Sequence, residues 1–163
     1  MKATVSATAI ALSLIASAAS AQAVRTEKNM SLELANQIAA ATVAACAANN
    51  YNVTAAVVDR AGVLRALQRA DNAGPHTVGA AQGKAYTSAS ARNTTAAMLE
   101  TMQKNPGAAT LVDIPGFLVL GGGVPVKVGN EVIGAVGVGG APGGHLDEQC
   151  AMTALDKVKD SLK

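Results

Sequence analysis

Only three aromatic rings occur in the whole chain, Tyr51, Tyr86 and Phe117, and tryptophan is absent. A fold built from such a sequence must fill its interior with Ala, Val, Ile and Leu, each of which removes little apolar area from water. Density then has to come from helices and strands lying close together, which the sixteen glycines permit. Burying further surface by homo-oligomerisation would compensate for the thin side chains.

The first two dozen residues read differently from the rest. Lys2 is the only charge before Arg25, an apolar stretch runs from Ala7 to Ala16, and Ala19-Ser20-Ala21 supplies the small-x-small pattern of signal-peptidase sites. The order predicts a secretory signal over residues 1–21, with cleavage after Ala21 and Ala23 as second choice. A single domain over 22–163 follows, placed in the periplasm or secreted. No later apolar run approaches the roughly 20 residues of a membrane helix, so no span is expected once the signal is removed. Thirteen Lys and Arg, Lys2 included, stand against eleven Asp and Glu, and the positive residues are scattered. Neither a nucleic-acid footprint nor a membrane-surface one is present.

Periodicity divides the domain into elements. Ser31 is a good N-cap, and Leu34, Ile38, Ala41, Ala45 and Ala48 recur at helical spacing, predicting a helix over 32–48. A short apolar β-branched run at 53–59 and a second strand at 63–69, joined by Arg60-Ala61-Gly62, read as a hairpin. Helices are expected over 77–89 and 93–104, the latter stopped by Asn105-Pro106-Gly107. Strands are expected at 117–120, 124–128 and 131–138, the last two joined by Gly129-Asn130. A closing helix over 146–162 begins with Asp147 and Glu148 and ends with lysines, matching the helix dipole. The order α-ββ-αα-βββ-α predicts an α/β protein of α+β type, with a five-stranded, largely antiparallel sheet.

Nucleotide binding fails on detail. Gly137-Val138-Gly139 opens a GxGxxG pattern, but Pro142 holds the third glycine position, and only one helix remains after it. Chemistry-bearing residues are few. His76 follows a Gly74-Pro75 turn, and Asp71, Lys84, Tyr86 and Thr87 are near it in sequence. One loop and one helix can bring these around a single pocket, in which imidazole would serve as ligand or acid/base and Asp71 would orient it. Gly122 and Gly123 would border that pocket. His145 sits at another helix entry. Cys46 and Cys150 lie in predicted helices near opposite ends of the domain. In an oxidising compartment they form a disulfide; otherwise they are two small buried thiols, and both readings stand. Their spacing suits no metal, and none is expected beyond an iron held by His76.

The segments Val57-Val58-Asp59-Arg60-Ala61-Gly62-Val63-Leu64, Arg69-Ala70-Asp71 and Lys84-Ala85-Tyr86-Thr87-Ser88 resemble signatures of the GlcG/HbpS family. So do Pro115-Gly116, Gly121-Gly122-Gly123-Val124-Pro125-Val126, Val132-Ile133-Gly134-Ala135-Val136-Gly137-Val138 and Asp147-Glu148. The resemblance spans nearly all of the mature chain in order. It implies a profilin-like layered fold with helices on both faces of the sheet. It also implies heme or a related tetrapyrrole as ligand, and a homo-oligomer, octameric in some members. Some heme-binding relatives use a histidine on the first helix, where this chain has none. His76 is then the foremost iron ligand, with Tyr86, Lys84 and Met98 behind it, and Lys84 is available to a propionate. Two alternatives stand beside a heme-binding protein. One is an enzyme on a small hydroxy acid or aromatic catabolite, with His76 or Lys84 as base and Asp71 and Tyr86 in support. The other is a structural or sensory oligomer without small-molecule chemistry.

Overall fold

The computed structural model describes residues 24–163. The expected signal segment and its expected cleavage site lie outside the described residues. The domain runs α1 (Leu32–Ala47), β1 (Thr54–Asp59), β2 (Leu64–Arg69), α2 (His76–Ala91), α3 (Thr95–Lys104), β3 (Gly123–Val128), β4 (Glu131–Gly139) and α4 (Gly144–Lys157). A 3-10 segment, Pro106–Asp113, follows α3, and another, Lys159–Ser161, follows α4. Ser31 caps α1 by accepting from the Leu34 amide, and Thr94 caps α3 through the Ala97 amide.

The sheet has four strands in the order β2-β1-β4-β3, all pairs antiparallel. This corrects the expectation of five. Residues 117–120 are apolar enough for a strand, but their backbone bonds leave the sheet. The Phe117 amide donates to the Ile114 carbonyl, and the Leu118 amide to the Thr87 hydroxyl at 2.7 Å. Gly116, at φ +84°, turns the chain just before them. The Leu120 amide in turn donates to the Leu118 carbonyl, so these donors are spent on α2 and on local turns rather than on a ladder. The 3-10 segment at 106–113 follows the Asn105-Pro106-Gly107 stop, and the closing helix ends sooner than its charge pattern suggests.

Alternation along the strands splits the core into two layers. Val57, Val136 and Val138 join Ile38, Ala39, Cys46 and Ala151 in a cluster between the sheet and α1/α4. Val58 and Ala135 meet Ala85 and Ala89 of α2 on the opposite face. The second layer is thin because glycine makes it so. A Cβ on Gly137 would overlap the Ala81 carbonyl and the Ala85 amide, so α2 rests directly on β4. This is the close approach that so few aromatic residues require. The two cysteines are joined, Cys46 of α1 to Cys150 of α4, with their Cα atoms 5.3 Å apart.

Candidate functional site

Helix α2 carries most of the residues singled out by sequence, and its geometry separates them. Successive residues turn by about 100° and rise by about 1.5 Å. Lys84 and Tyr86 therefore project to nearly opposite sides, and His76 lies about 12 Å from Lys84 along the axis. The structure bears this out as three separate environments rather than one pocket.

Lys84 points inward and is only 5% exposed. Its ammonium donates to Asp147 Oδ2 and to the Val138 carbonyl, each at 2.8 Å. Asp147 Oδ1 accepts from the Ala141 amide at 3.0 Å. One buried ion pair thus ties α2, the end of β4, the loop after it and the first turn of α4. Gly122, at φ +118°, lies over the pair, and a Cβ there would sit 2.8 Å from Asp147 Cβ and 3.1 Å from Lys84 Nζ. Gly123 donates its amide to the Thr95 hydroxyl at 2.8 Å. Gly122 and Gly123 thus stand with Lys84, as a lining for the ion pair. Burial pushes the Asp147 carboxyl above its ordinary range, outweighing the pull of Lys84 and the Ala141 amide. Lys84 in this position cannot reach a substrate from solvent. Thr87 is also internal, bridging the Gly83 carbonyl and the Leu118 amide.

His76 is exposed, at the edge of a polar groove of about 320 Å³ whose walls include Asn50, Asn52 and Asn72. Asp71 is exposed in the preceding turn and is not one of that groove's walls. Met98 is buried in α3. Tyr86 lines a different groove, of about 360 Å³, between α2 and β2.

His145, which in sequence is only a histidine at a helix entry, opens onto a larger groove of about 450 Å³ between the start of α3 and the outer face of α4. His145, Glu148, Met152 and Asp156 recur at three- and four-residue steps, so one stripe of α4 forms a wall, with Ala96 opposite. The spacing was there to be read, but nothing in it says which face of the last helix stays uncovered. The His145 ring folds back over Gly143, where a Cβ would meet it at 2.8 Å. Glu148 Oε2 is buried and has no hydrogen-bond partner among the described residues. Burial pushes this carboxyl up from the ordinary 4.5, with the Gly122 amide and the Thr94 side chain opposing. A carboxyl whose folded pKa exceeds its unfolded one costs stability when ionised, and that cost fades as pH falls through the folded value. Glu148→Gln should therefore melt at pH 7 no lower than the parent. Its advantage should shrink toward pH 4.5, where the parent carboxyl is itself protonating. Thermal melts across this range check it; a variant melting well below the parent at pH 7 contradicts it.

Among the described residues no group of three or more His, Cys, Asp or Glu is placed to hold a metal ion. No described helix is long and apolar enough to cross a membrane.

A family model described as "Haem degrading protein HbpS-like" matches residues 30–156. The chain belongs to the HbpS-like family. Protein GlcG of Escherichia coli K12 is 39% identical over 114 residues, covering 70% of this chain and 84% of that one. A double mutant of Streptomyces reticuli HbpS superposes with a TM-score of 0.79 at 33% identity, covering 94% of this chain and 98% of that one. The heme complex of PduOC has a TM-score of 0.70, covering 78% of this chain and 94% of that one. At 22% identity this last is a likeness of fold. For an HbpS-like chain, then, the α+β architecture with an antiparallel sheet is the shared scaffold, and the side chains in its grooves decide the chemistry.

Proposed function

We propose that this HbpS-like protein binds a small molecule, heme or a related tetrapyrrole, in the groove between α3 and α4, with His145 as the iron ligand. The observation that carries this reading is the donor set of that groove. An imidazole at His145 lies on one stripe of α4 with the apolar side chain of Met152, and Ala96 stands opposite. Imidazole is a common axial donor to heme iron, and the apolar surface of Met152 and Ala96 suits contact with a macrocycle. The family description supports the ligand class. The carboxylates of Glu148 and Asp156 oppose the propionates of heme, so affinity would rest on the axial bond and apolar contact. Heme, when bound, would supply the redox and oxygen chemistry of its iron; the chain supplies a ligand and a shielded face.

His76 is the weaker choice because its groove is polar and asparagine-lined. The enzyme reading loses its base at Lys84, which is buried and paired. We place the mature protein outside the cytoplasm, a reading supported by the signal-like leader and by a disulfide that suits an oxidising compartment. We also take it to self-associate: Val112, Ile114 and Leu120 expose apolar surface that a second copy would bury.

Hemin titrated into residues 22–163 and followed by absorbance tests the assignment. The parent and His76→Ala should give the same saturable Soret shift, and His145→Ala should weaken it at least tenfold. A response unchanged in His145→Ala removes that residue from the role. Sedimentation of the same preparation before hemin is added reports self-association.

A further inference from the structure

We propose that the groove between α2 and β2 is a second small-molecule site, built for an uncharged, flat and largely apolar ligand such as a substituted aromatic ring. The fold leaves this space open. Helix α2 packs on β1, β3 and β4, while β2 is covered by α1 on the other face of the sheet. Val58 and Leu64 form the apolar floor, Gly79, Gln82 and Gly83 the helical wall, and Tyr86 the end.

Tyr86 is held as a binding surface would be. Its ring is wedged between Gly62 and Gly116, at φ +80° and +84°. A Cβ on Gly62 would lie 2.8 Å from Tyr86 Cδ2, and one on Gly116 3.1 Å from Cε1. Phe117 adds an edge-to-face contact at 6.2 Å. The ring is nonetheless 38% exposed. An aromatic side chain already immobilised loses little entropy when a ligand stacks on it.

Gly79 supplies an independent argument. It sits inside α2, where glycine costs about 1 kcal/mol against alanine. The usual reason for a helical glycine is close packing, as at Gly83, where a Cβ would meet Leu118 Cβ at 3.0 Å. At Gly79 nothing lies within 4 Å of the added atom. No contact among the described residues requires this glycine; its effect is to keep the groove wall flat.

The lining also states the ligand's chemistry. It includes no charged residue, and Gln82 and Tyr86 are its polar side chains. A volume of about 360 Å³ is near the lower end for small-molecule sites, so the ligand is small. This contrasts with the α3–α4 groove, which is bordered by carboxylates.

The probe is 2-naphthol, titrated calorimetrically into the mature protein. The parent should bind it saturably, and Tyr86→Ala should weaken binding. Gly79→Leu should weaken it at least tenfold while melting no lower than the parent, because the new side chain enters open space on a helix that favours it. His145→Ala should bind 2-naphthol as the parent does, and Gly79→Leu should keep the hemin response, showing two separate sites. No saturable heat with the parent, or undiminished binding in Gly79→Leu, overturns the proposal. So does loss of the hemin response in Gly79→Leu.

Discussion

Lys84→Ala is expected to lower unfolding stability by about 3–5 kcal/mol, since it leaves a buried carboxylate without its partner. Asp147 is 3% exposed, and its carboxyl is already strained toward the neutral form by burial. Without the ammonium it keeps only the Ala141 amide as a partner, and the Val138 carbonyl loses a donor as well. The cost is the desolvation of an unpaired charge rather than the worth of an ion pair, and the two can be told apart. Lys84→Met/Asp147→Leu removes both charges and should recover most of the loss. Denaturant unfolding of the parent, the single variant and the double variant checks this. A single variant within about 1 kcal/mol of the parent would show that Lys84 is not structural.

Loss of the disulfide should be comparable. Cys46 and Cys150 are 104 residues apart, so their bond closes most of the domain into a loop. The chain-entropy account assigns about 4–5 kcal/mol to a loop of that length. Cys46→Ala/Cys150→Ala keeps small apolar side chains at both buried positions, so packing changes little. It should melt about 10–20 °C below the parent. Adding a reductant should lower the parent's melting temperature and leave the double variant unmoved. A parent insensitive to full reduction, confirmed by thiol counting, would contradict the expected stabilisation.

Much of the architecture is local and could be read directly. The Ser31 cap, the helical spacing from Leu34 to Ala45 and the Gly129-Asn130 turn each specify their own geometry within a few residues. The Gly129 turn is confirmed by the pairing of Val128 with Glu131. Residues 117–120 could not be read this way. An apolar run is compatible with a strand or an irregular stretch, and the choice was made by the Thr87 hydroxyl, thirty-one residues away. The candidate site was less legible still. Asp71, His76, Lys84 and Tyr86 are near one another in sequence, but helical rotation sends Lys84 into the core and Tyr86 into a groove.

What the sequence determined by itself was the family, the approximate positions of the four helices and of the four strands that pair, and the need for a glycine-lined interior, because composition and short-range pattern act within one turn or one strand. The tertiary structure alone decided that Lys84 meets Asp147 across 63 residues, that Cys46 meets Cys150, and which faces of α2 and α4 remain open as grooves. Those outcomes depend on how elements stack against one another, and long-range packing leaves no periodic trace in the chain.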